Sequence, residues 1–100
     1  MFAVIFKATI RTLDKEYSLY ANQLRELAMS KYGCTDFVSS CEGNQEIAIS
    51  YWSCEQDIAR WHNDPRHKRA QQLGKDKWYL DYSVEVVEVK RSYSGERVVS

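Results

Sequence analysis

The chain has 100 residues, and 14 basic side chains balance 14 acidic ones to a formal net charge of zero. That length makes one domain with a thin margin of burial, between the ~60% of unfolded surface covered in a 60-residue domain and the ~70% covered at 150 residues. Neutrality excludes the basic excess that nucleic-acid binding takes, and it removes self-repulsion as a defence against association. From the N-terminus, Phe2 to Arg11 alternates: Phe2, Val4, Phe6, Ala8 and Ile10 face one way and Ala3, Ile5, Lys7, Thr9 and Arg11 the other, as in a strand. Lys7 interrupts the apolar run, Arg11 follows it, and no small-residue cleavage pattern appears, so a strand is expected here rather than a leader. No run approaches the ~18 apolar residues of a membrane helix. The three cysteines, Cys34, Cys41 and Cys54, form no C-x-x-C pair and are read as reduced thiols of a cytoplasmic protein.

Asp14 is placed to cap a helix in which Tyr17, Tyr20, Leu24, Leu27 and Ala28 recur at helical spacing, and Gly33 is placed to close it at C′. Phe37 to Cys41 and Glu46 to Trp52 read as an antiparallel hairpin around Glu42-Gly43-Asn44-Gln45. Ser53 and Gln56 have capping-box spacing at the head of a short helix whose apolar face is Ile58 and Trp61. Asp64-Pro65 then restarts helix, and Gly74 is expected to stop it. Tyr79 to Val89 is the last strand; Val84, Val86, Val87 and Val89 are apolar on both faces, so it is expected to be buried on both sides or to carry a bulge. Ser92 to Ser100 reads as a tail in which Val98 and Val99 have no assigned place.

The order is β-α-β-β-α-β, an α+β ferredoxin-like pattern with a four-stranded antiparallel sheet, helices on one face and the second helix broken near Asp64-Pro65. The other sheet face keeps apolar residues, which predicts a homodimer packed through it.

Trp61, Trp78, His62 and His67 all fall between positions 61 and 78, where pocket chemistry is expected. His67 lies in the first turn of its helix, where the dipole disfavours the imidazolium. It fits a general base or a hydrogen-bond partner for a phenol, and equally a local backbone contact. Trp61, Trp52 and Trp78 fit the walls of a flat aromatic pocket or the filling of a small core. His62 is expected to face solvent. His62 and His67, five apart across a proline break, are not expected to share a face as two metal ligands would. No G-x-S-x-G elbow, P-loop or G-x-G-x-x-G is present. The Lys75-Asp76-Lys77 and Lys90-Arg91 clusters read as solvated surface.

Phe2 to Phe6, Tyr51-Trp52-Ser53, and the block Trp61…Pro65-x-His67…Ala70-Gln71-x-Leu73-Gly74…Trp78-Tyr79-x-x-Tyr82 together resemble the antibiotic biosynthesis monooxygenase (ABM) domains. The resemblance covers residues 1–93 as one domain, with 94–100 as a C-terminal tail. It implies a dimeric α/β barrel and the oxidation of a hydroxylated aromatic or quinol with O2, without metal, flavin or other cofactor. His67 would then be base or hydrogen-bond donor, and Trp61, Trp52, Trp78 and Tyr82 would contact the substrate. A non-catalytic dimeric ligand-binding or stress-associated domain is the alternative. One related branch degrades haem with a first-strand asparagine and an axial histidine. Here Lys7 and Gln71 stand near those positions, which argues against haem chemistry.

Overall fold

A computed structural model describes residues 1–96. It contains β1 (Phe2–Ile10), α1 (Lys15–Ser30), β2 (Cys34–Glu42), β3 (Gln45–Trp52), α2 (Glu55–His62), α3 (Pro65–Leu73), a π-helical turn (Gly74–Trp78) and β4 (Tyr79–Glu88). The four strands form one antiparallel sheet in the order β2-β3-β1-β4. The alternation of β1 suits its central place: Ala3, Val4 and Ala8 are buried although they lie on opposite faces. The expected ferredoxin-like α+β fold is present, with helices on one face. Val98 and Val99, left without a place above, lie outside the described residues. Among the described residues no helix is long and apolar enough to cross a membrane.

Local chemistry sets the joints between elements. The Asp14 carboxylate accepts from Tyr17 N at 2.9 Å and caps α1 as expected. It also accepts from Trp78 Nε1 at 3.0 Å and pairs with Lys77 Nζ at 2.7 Å, while Lys77 reaches Glu16 at 2.8 Å. Lys77 is therefore not plain solvated surface; it clamps the π turn to the head of α1. After α1, Lys31 is the C-cap and Gly33 turns the chain with φ +86, two positions beyond the cap rather than at C′. Gly43 has φ +60 at the first central position of the two-residue hairpin turn, where glycine is favoured.

Two further expectations are corrected. The Ser53/Gln56 capping box does not form: Cys54 is the N-cap of α2 and no side chain caps it. Gly74 does not stop α3, since it stays helical at φ −59, ψ −47 and opens the π turn. A Cβ there would meet the Tyr79 ring at 2.9 Å, so close approach, not a left-handed turn, requires glycine. β4 meets one of its two alternatives, the bulge: Thr9 and Ile10 of β1 pair with Asp81 and Tyr79, which leaves Leu80 as the extra residue. Burial on both sides is not the alternative realised, since Val84 and Val86 are each 46% exposed.

Two apolar clusters fill the space between helices and sheet. One gathers Val4, Ala28, Tyr32, Trp52, Ile58 and Trp61; the other gathers Ala70, Leu73 and Trp78, with Tyr17, Tyr20 and Tyr79 packed on it. Leu24 of α1 touches both.

Candidate active site

A cavity of about 930 Å3 lies between the inner face of the sheet and the helices. Its floor is Phe2, Val4 and Phe6 of β1, Phe37 and Ser39 of β2, Glu46, Ala48 and Ser50 of β3, and Tyr82, Val84 and Val86 of β4. Trp61, His62, His67, Gln71 and Trp78 come from the helical side. Of the residues expected at the site, His67, Trp61, Trp78 and Tyr82 line this one cavity. Trp52 does not. It is fully buried behind Trp61, with ring centroids 5.3 Å apart, and its Nε1 donates to Ser50 Oγ at 2.8 Å. Its part is support of the wall, not contact with the cavity. Lys7 is also excluded: it is exposed, on the opposite sheet face from its inward neighbours Phe6 and Ala8.

The Asp64-Pro65 break positions the histidine. Asp64 accepts from Arg66 N at 2.8 Å and restarts the helix in a new direction. This folds the His67 ring against Trp61, centroids 4.5 Å apart at 80°, and against His62, 4.6 Å apart at 62°. The two imidazoles thus meet across the break that was expected to separate them. Among the described residues no group of three His, Cys, Asp or Glu side chains is arranged to hold a metal ion. Trp61 is fixed in turn by Nε1 donating to Leu24 O at 3.0 Å and by the edge of Phe37 at 6.2 Å.

Burial pushes the His67 imidazole down from its ordinary 6.5 to about 4, and the neighbouring charge of His62 adds to the effect. Burial, rather than the helix dipole, is the main cause of its neutrality. Nδ1 is sealed from solvent with no hydrogen-bond partner among the described residues. An unpaired N–H is costlier there than an unpaired lone pair, so the proton belongs on Nε2, and His67 presents a donor.

A second polar centre was not foreseen. Glu46 is 6% exposed and accepts from Tyr79 Oη at 3.1 Å. Burial raises its carboxyl above the ordinary value, and burial beside that carboxylate raises the Tyr79 phenol. Gln71 Nε2 approaches Tyr82 Oη at 3.5 Å nearby. The signal for Glu46 lay in the alternation of β3, which puts it in phase with Ala48, Ser50 and the buried Trp52.

The chain is 31% identical over 91 residues to the uncharacterized protein YqjZ of Bacillus subtilis, covering 90% of this chain and 80% of that one. No family model matches it. Among solved structures it is similar to SnoaB, a cofactor-independent oxygenase from Streptomyces nogalater, studied as the N63A mutant (TM-score 0.75, 11% identity, 91% of this chain and 94% of that one). It is also similar to a conserved protein from Methanosarcina mazei Go1 (TM-score 0.76, 15% identity, 89% and 92%) and to an antibiotic biosynthesis monooxygenase (TM-score 0.72, 13% identity, 91% and 100%).

Proposed function

Since the chain belongs, with YqjZ, to a family of antibiotic biosynthesis monooxygenase-like domains, we propose that it is a cofactor-independent monooxygenase acting with O2 on a hydroxylated aromatic or quinol. The observation that carries this reading is the apolar cavity of about 930 Å3, with one neutral imidazole set edge-on to Trp61 in its wall. In this reaction the deprotonated aromatic is itself the electron donor. For an anthrone-type substrate, the ring CH2 and O2 become C=O and H2O, so one oxygen atom enters carbon and the other leaves with both hydrogens. The cavity supplies an aromatic bed in Trp61, Phe37 and Phe6, and His67 Nε2–H supplies a donor to the negative charge developing on oxygen. A second reading, ligand binding without turnover, is favoured by the low basicity of His67, which makes it a poor proton acceptor.

Oxygen uptake by metal-free protein against catechols, naphthoquinols and anthrones separates the two. The expected result is uptake above autoxidation that boiling abolishes. His67→Ala is expected to lower turnover about a hundredfold, as loss of a single oxyanion donor does, with an unchanged circular-dichroism spectrum. Unchanged turnover in His67→Ala removes its catalytic role, and a flat trace across the panel leaves ligand binding.

The working form in this reading is a homodimer. On the outer sheet face Val38, Ile49 and Ile5 stand in one row across three strands, beside Ile47 and Tyr51. Val38 and Ile47 are 48% and 44% exposed in the single chain. A contiguous apolar face of this kind is a docking surface by default. Light scattering at micromolar concentration is expected to give twice the 11.7 kDa chain mass, and a monomeric mass overturns the assignment.

A further inference from the structure

Glu46 is a costly residue to keep where it stands. A buried carboxylate destabilises a fold unless it is paired or fully hydrogen-bonded. Here Tyr79 Oη is its one hydrogen-bond partner among the described residues, and it falls on Oε2. Oε1 has no partner among the described residues and is not sealed from solvent, and Glu46 lines the cavity. Among the described residues no cation pairs with it; Arg25, the cationic residue of the cavity lining, sits over the Phe37 ring at 5.8 Å.

The sheet register sets the neighbours of Glu46. Ala8 of β1 is flanked by Glu46 on β3 and Tyr82 on β4. Ala8 is 2% exposed and does not line the cavity, so the ligand space next to Glu46 lies over the neighbouring row of the sheet, the Phe6–Ala48 pair, which does. The His67 end of the cavity is distant. Trp61 packs on Phe37, and Phe37 pairs with Ser50, four residues along β3 from Glu46, or roughly 13 Å at strand rise.

We propose that Glu46 is a second anchoring residue of this cavity, accepting a hydrogen bond from a hydroxyl of the bound aromatic, so that the preferred ligand is a fused-ring aromatic with hydroxyls at both ends. This rests on the reading of the cavity as an aromatic site and narrows its ligand class. The raised carboxyl of Glu46 agrees with it: the site lacks the donors a carboxylate needs, and a ligand hydroxyl supplies one.

Calorimetric titration with 2-naphthol and 2,6-dihydroxynaphthalene tests it, because the two probes differ by one distal hydroxyl. The wild-type chain is expected to bind the diol about tenfold more tightly, the effect of one hydrogen bond to a charged acceptor. Glu46→Leu is expected to bring the ratio to about one. Should that variant not fold, Glu46→Asp, which withdraws the carboxylate by one methylene, is expected to lose the same preference. No preference in the wild type, or a preference kept by the variant, overturns the role of Glu46 and leaves the aromatic site standing on its 2-naphthol binding. Absence of binding by both probes overturns the aromatic reading and this inference with it.

Discussion

Trp52→Ala is expected to lower stability by about 3–5 kcal/mol, the range for truncating a buried large aromatic. Trp52 is 0% exposed and is the largest side chain wholly inside the fold. It fills the gap between β3 and α2, under Trp61 and beside Ile58 and Val4. Small domains hold only about 5–15 kcal/mol in all, so the loss takes a large fraction of the total. At about 4–8 °C per kcal/mol for a domain of this size, the melting temperature is expected to fall by at least ~12 °C. Trp52→Phe keeps most of the volume and loses the Nε1 bond to Ser50, so it is expected to cost clearly less. Thermal melts at matched protein concentration decide the matter. A Trp52→Ala melting temperature within ~4 °C of wild type contradicts a supporting role.

Trp52 also shows where sequence reasoning reached its limit. Periodicity located the four strands and the three α-helices but not the π turn at Gly74–Trp78, and the caps at Asp14 and Asp64 are where their chemistry placed them. These signals are local: an oxygen three residues before a helical N–H is legible in a string of letters. Contact across elements is not. Trp61, Trp78 and Trp52 look alike in sequence, yet two line the cavity and one stands behind it. The alternation of β3 misleads for a physical reason. Its more apolar phase, Ile47, Ile49 and Tyr51, faces outward, and its more polar phase, Glu46 and Ser50, faces the cavity. A sheet that carries a polar site on its inner face inverts the usual rule that the apolar phase marks the core. The meeting of His62 and His67 was hidden likewise, because spacing counted along a straight helix fails across a break such as Asp64-Pro65.

That break is the origin of the second large effect. Asp64→Ala is expected to cost about 2–4 kcal/mol at pH 7, combining a lost N-cap with a buried phenol left unpaired. Tyr32 and Arg66 cover Asp64, leaving its side chain 2% exposed. Tyr32 Oη donates to Oδ2 at 2.7 Å, and Arg66 donates from Nε to Oδ1 at 3.1 Å and from Nη2 to Oδ2 at 3.2 Å. Arg66 and then Tyr32 hold this carboxyl well below the usual carboxylate range. A lowered folded value means that the unfolded chain takes up the proton first. The contribution is whole above the unfolded value of about 3.9 and is lost as pH falls below it toward the folded value. The stability gap between wild type and Asp64→Ala is therefore expected to be constant from pH 7 to pH 5 and to shrink between pH 4 and pH 2. His67 acts in a separate window. Its unfolded imidazole takes a proton near 6.5 that the folded one refuses down to about 4, so wild type and Asp64→Ala should lose stability together between those values. Replacing His67 with alanine removes that shared slope and leaves the acid-range gap intact. Denaturant midpoints measured from pH 7 to pH 2 resolve both windows. A gap that stays constant down to pH 2 shows that Asp64 acts through shape alone, and that the Arg66 and Tyr32 contacts add nothing to the ionised form.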